Sequence, residues 1–148
     1  MGIAQRLDDD AKAALKAGEK TRLSTIRRAR AAIKNAEIDA KGELSDRDAT
    51  GVIRGMVKRH QESIDQFAKG NRQDLVDKET EEMAILQEYL PPEVDEATIE
   101  AGVRDVIAEA GVTDMKGLGK VMKPAIDRFD GQVDGGRIRE IAQRILGG

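Results

Sequence analysis

Met83-Ala84-Ile85-Leu86-Gln87-Glu88-Tyr89-Leu90-Pro91-Pro92 decides how this 148-residue chain is divided. Leu75, Met83, Leu86 and Leu90 line one side of a helix that opens at Asp74 or just before it, with Val76 and Tyr89 flanking them. Proline lacks a backbone N–H and clashes with the turn before it, so Pro91-Pro92 ends that helix and marks the best boundary in the chain.

Upstream of that stop, Ile3, Leu7, Ala11 and Leu15 recur every four residues and predict a helix over about 3–17, ended by Ala17-Gly18. A second helix over about 19–41 turns Leu23, Ile26, Ala29 (or Arg30) and Ile33 inward. Its other face carries Arg27, Arg28, Arg30 and Lys34, and Gly42 is its C-terminal stop. Ser45 caps a third helix, with Asp46 and Asp48 complementing the positive helix end. It runs to about Lys69 on a stripe of Val52, Ile53, Met56, Val57, Ile64 and Phe67, and Gly70-Asn71 closes it. Gly51 and Gly55 would let another helix approach closely. Four amphipathic helices are enough for an antiparallel bundle over residues 1–90.

Three shorter helices are predicted over residues 93–148. The first (about 96–110) is capped by Asp95, buries Ile99, Val103, Val106 and Ile107, and ends at Gly111. The second (about 115–126) is capped by Asp114 and buries Leu118, Val121, Met122 and Ile126. After the loop Phe129-Asp130-Gly131-Gln132-Val133, the third is capped by Asp134 and buries Ile138, Ile141, Ile145 and Leu146. The expected fold is all-α: an N-terminal antiparallel helical bundle of about four helices, then a small three-helix C-terminal domain.

Composition agrees, since 36% of residues are charged and only 2% aromatic, a helical rather than a strand-forming mixture. With no cysteine, disulfides and thiolate chemistry are excluded. Met1 to Arg6 runs straight into charge, unlike a signal peptide, and no apolar run approaches the roughly 18 residues of a membrane span. A cytoplasmic protein with no membrane partner is the expectation. Net charge is −3, but its distribution is uneven: residues 116–148 hold seven basic against four acidic residues, and Lys20–Lys34 holds six basic and no acidic ones.

The sharpest chemical signal is Thr113-Asp114-Met115-Lys116-Gly117-Leu118-Gly119-Lys120-Val121-Met122-Lys123, echoed by Asp134-Gly135-Gly136-Arg137. Each places an Asp at a helix start, glycines beside it and cations close behind, an arrangement suited to a phosphate or carboxylate. The glycines of the first stretch are expected to let its helix pack closely, with Gly119 as the contact. It is not a P-loop, because Val121 follows the lysine and no strand precedes it. His60 reads as a boundary histidine, and Glu79 with Glu82 as solvated charge, so no metal site, cofactor or catalytic residue is expected. Ser24, Ser45 and Ser63 have no base placed to activate them. Phe67, Tyr89 and Phe129 are too few for base stacking, leaving phosphate contact through Lys116, Lys120, Lys123, Arg137, Arg139 and Arg144.

At Glu88-Tyr89-Leu90-Pro91-Pro92, then Lys116, Gly119-Lys120-Val121-Met122-Lys123 and Gly131 to Gly135, the chain resembles the GatB/YqeY family. Its N-terminal part adds Ile26-Arg27, Ala32-Ile33-Lys34-Asn35, Lys58-Arg59, Glu62-Ser63-Ile64, and Arg72 with Asp74-Leu75. Gly117 stands where that family often has an acidic residue, and Gln132 where it often has arginine. The resemblance implies a free-standing relative of the tail domain of the B subunit of glutamine-dependent aminoacyl-tRNA amidotransferases. It implies a non-catalytic tRNA-associated accessory protein with Lys116, Gly119, Lys120, Lys123, Asp134 and Gly135 on or near an RNA-facing surface, which Arg137 joins by its charge. The family's carbon–nitrogen ligase activity, with glutamine as amido donor, belongs to the whole enzyme, and nothing here supplies its nucleophile or ATP site. The alternative is a protein-interaction module docking on the amidotransferase or another translation component.

Overall fold

A computed structural model describes residues 2–147. Among them are seven α-helices, one short 3-10 turn and no strand, so the chain is all-α. It divides into two compact units, Met1–Leu90 and Pro91–Gly148.

The larger unit holds α1 (Ile3–Ala17), α2 (Lys20–Ala40), α3 (Asp46–Lys69) and α4 (Gln73–Gln87). Gly18 ends α1 at φ 72°, the left-handed conformation that glycine adopts at least cost. At the end of α2 that conformation falls on Lys41 (φ 58°) rather than on Gly42, and after α3 on Asn71 (φ 57°) rather than on Gly70. The Ser45 hydroxyl caps α3 by accepting from the Asp48 N–H at 3.1 Å. Asp8 pairs with Arg30 across α1 and α2, and His60 meets Glu79 across α3 and α4, so each short link folds its two helices back on one another.

Ile3, Leu7, Ala11, Ile26, Ala29, Ile33, Ile53, Met56, Ile85, Leu86 and Tyr89 form one core. The structure departs from the expected stripes at several positions. Leu15 is 60% exposed and Ala14 takes its place inside. Ala29 is the inward residue of α2, while Arg30 points to Asp8. Glu82, not Met83, is buried on α4, at 6% exposure. Nothing lies within 4 Å of where a Cβ on Gly51 or Gly55 would stand, so neither glycine admits a neighbouring helix.

The Glu88-Tyr89 end of this unit is tied to the first two helices. Arg22 pairs with Glu88 at 2.8 Å, and Arg6 donates to the Glu88 carbonyl at 3.3 Å. The Arg6 guanidinium lies 4.9 Å from the centroid of the Tyr89 ring. The Tyr89 hydroxyl donates to Asp10. Burial, together with the Asp10 carboxylate, pushes the Tyr89 hydroxyl pKa up from its ordinary value.

The smaller unit holds α5 (Glu96–Ala110), a 3-10 turn (Met115–Gly117), α6 (Leu118–Arg128) and α7 (Gly135–Gly147) around Ile99, Val103, Val106, Val121, Ala125, Phe129, Ile138 and Ile141. Asp95 caps α5 by accepting from the Thr98 N–H at 2.7 Å. A Cβ on Gly102 would stand 2.6 Å from Phe129 Cζ, so this glycine makes room for the ring. Pro124 lies inside α6, where the Lys120 carbonyl loses the N–H that would otherwise bond it.

Candidate nucleic-acid interface

The Asp114 stretch folds differently from a helix beginning at residue 115. Its carboxylate accepts from the Lys116 N–H at 3.0 Å, and its carbonyl accepts from the Gly117 N–H, which makes a 3-10 turn before α6 begins at Leu118. At α7, the Asp134 carbonyl accepts from the Arg137 and Ile138 N–H groups. Asp134 Oδ2 lies only 3.3 Å from where a Cβ on Gly136 would stand, so the carboxylate sits over the first turn. At the 3-10 turn the Asp114 carboxylate occupies the ground where an outside anion would meet backbone N–H groups. Anion-facing chemistry is left to side-chain cations.

Lys116, Lys120 and Lys123 are exposed, as is Gly119. Their i, i+4, i+7 spacing puts the three lysines along one side of the turn and α6, while Leu118, Val121 and Ala125 face the core. A Cβ on Gly119 would meet nothing within 4 Å, so it is not the packing glycine. Gly117 is, because a Cβ there would stand 2.4 Å from Val112 Cγ1. The residue that departs from the family pattern is therefore required by packing, and the residue that fits the pattern is not.

Asp134, Gly135 and Arg137 stand at the start of α7. A Cβ on Gly135 would lie 3.5 Å from Ile126 Cδ1, near the end of α6, whereas one on Gly147 would lie 4.0 Å from Met115 Cγ at its beginning. The two helices run antiparallel, so Arg137 stands about 15 Å along α7 from the end that meets Met115 and, just inside Gly135, roughly level with Lys123. Arg137 is half-buried and donates to the Val94 carbonyl at 3.4 Å. It also faces Asp95, whose carboxyl is held below the usual range chiefly by its hydrogen bonds to Thr98, with a smaller pull from Arg137.

Arg128 and Arg144 are paired. Arg128 meets Asp105 at 3.0 Å, and Arg144 meets Glu96 at 3.0 Å and Glu100 at 3.5 Å. Arg139 is exposed. What fold and site define is a class: an all-helical chain in two units whose small unit displays lysines along one short helix.

The family described as "Yqey-like protein" matches residues 4–146, and the chain belongs to it. Curated relatives share the name "Altered inheritance of mitochondria protein 41, mitochondrial". That of Lachancea thermotolerans is 38% identical over 106 residues, covering 70% of this chain and 57% of its own length. That of Vanderwaltozyma polyspora is 33% identical over 118 residues (74% and 63%), and that of Pyrenophora tritici-repentis 30% over 148 residues (98% and 81%). The chain thus spans less than two thirds of the first two relatives. Their names overturn the expectation of a cytoplasmic location, which rested on missing cysteines and a charged beginning. Neither feature fixes a compartment.

Proposed function

We propose that the chain is a non-catalytic, tRNA-associated accessory protein that meets the phosphate backbone through Lys116, Lys120 and Lys123. The observation that carries this reading is the exposed lysine row on α6, set against Arg128 and Arg144, which acidic neighbours already neutralise. Family membership supports it, through the resemblance to the amidotransferase tail. Arg137 serves as a strut to Val94 and is a lesser contributor. Docking on an amidotransferase or other translation protein comes second, because the strongly exposed Leu15 and Ile38 lie at opposite ends of the α1–α2 pair and form no common patch. The relatives' names make mitochondria the compartment to test first.

Filter binding of tRNA at rising salt tests the reading. Three lysine–phosphate contacts give a log–log slope of about −2 to −3. Lys120→Glu with Lys123→Glu abolishes retention with helicity intact. A folded wild-type chain that fails to retain tRNA at low salt sinks the proposal, and a partner captured after RNase treatment favours protein docking instead.

A further inference from the structure

The fold brings a histidine on one helix to two glutamates on the next, 19 or more positions along the chain. His60, on α3, is buried, and its Nδ1 lies 2.5 Å from Glu79 Oε2 and 4.0 Å from Glu82 Oε2, both on α4. One ligand atom from each of the three lies within 4.8 Å of the others. Glu79 and Glu82, three apart, share one face of α4. Neither carboxylate is the solvated surface charge that the sequence suggests: their side chains are 21% and 8% exposed.

From this constellation we infer a divalent transition-metal site of the zinc class, held by His60, Glu79 and Glu82. An imidazole with two carboxylates is a nitrogen–oxygen donor set that suits zinc or its neighbours and, through the imidazole, disfavours magnesium. Ligand atoms on a tetrahedral ion at about 2.0–2.1 Å stand about 3.3 Å apart. The 2.5 Å separation must open, and the 4.0 Å separation close, by under about 1 Å each, within the reach of a carboxylate rotation.

Charge favours the same reading. Two carboxylates converge on one ring, and the Arg28 guanidinium lies 3.0 Å from Glu82 Oε2. With the imidazole neutral, as a metal ligand must be, one carboxylate charge is left for a bound cation to balance in this partly buried place. Arg28 in turn approaches the Thr25 hydroxyl at 3.4 Å, so it orients Glu82 from behind as outer partners of metal ligands do. A hollow of about 270 Å³, lined by Arg28, Met56, Arg59, Ser63 and the ligands His60 and Glu79, opens beside the cluster. It provides an entry path and a fourth position for water or a small anion.

The test uses the untagged full chain, stripped with a chelator. His60 is its only histidine and it has no cysteine, so any imidazole-bound ion reports this site. Zinc titration against a chromophoric competitor gives one ion per chain, zinc raises the melting temperature, and cobalt(II) gives a visible d–d band. Glu79→Gln weakens zinc by roughly tenfold or more, and His60→Asn removes the cobalt band. Glu81→Gln, exposed on the same helix, changes neither. Absence of zinc binding by the wild-type chain overturns the inference without recourse to any variant. So does zinc binding that Glu79→Gln and His60→Asn, both folded by circular dichroism, leave unchanged.

Discussion

A single methyl group separates Gly117 from Gly119. Gly117→Ala drives a Cβ into Val112, whose branched side chain has little freedom to retreat, and costs about 1–3 kcal/mol in the denaturant midpoint. Gly119→Ala meets open space inside a helix, gains up to about 1 kcal/mol and leaves tRNA retention unchanged. The sequence points to Gly119 as the packing glycine and the structure reverses that order, because both are glycines near a helix start and what distinguishes them is Val112 across the turn. Tyr89 carries a pH dependence of the same local origin. Its folded pKa is raised above the ordinary 10.0, so its contribution is fully present below pH 10 and is lost as pH rises through the higher folded value. Melting followed against pH should show stability falling on the alkaline side. Tyr89→Phe should remove that part of the slope while lowering neutral-pH stability by about 1–2 kcal/mol through the unpaired Asp10.

At the scale of elements, the helices were legible and their inward faces less so. Caps at Ser45 and Asp95 mark helix starts that the structure reproduces, whereas α4 already ends at Gln87, ahead of the prolines. A stripe stepped every four residues, however, drifts about 40° per step on a helix of 3.6 residues per turn. By Leu15 the drift has carried the side chain to solvent, and the three-residue step to Ala14 brings the stripe back. Glu82 stands seven residues after Leu75 and four before Leu86, squarely on the apolar line; its charge hid it from a reading that sorts by hydrophobicity. Its companion His60 lies on another helix, and no spacing rule within one element could join them. Pro124 is the weak point of α6. Pro124→Ala restores a donor to the Lys120 carbonyl and is expected to stabilise the smaller unit by on the order of 1–3 kcal/mol, seen as a higher midpoint for its unfolding.

On the scale of the whole chain, the prolines divide two sets of core residues, each complete in its own unit. Fragments 1–90 and 91–148 should therefore each give a helical spectrum and a cooperative melt, the shorter with the smaller margin because it buries a lower fraction of its surface. A fragment that stays unfolded would show that its core needs more than its own helices. Tyr89 adds a practical consequence. It is the only tyrosine, there is no tryptophan, and it belongs to the larger unit. Intrinsic fluorescence of the intact protein is thus an optical label already installed in one half, with the other half dark. Comparing its unfolding curve with that of total helicity separates the two stabilities without a single engineered dye.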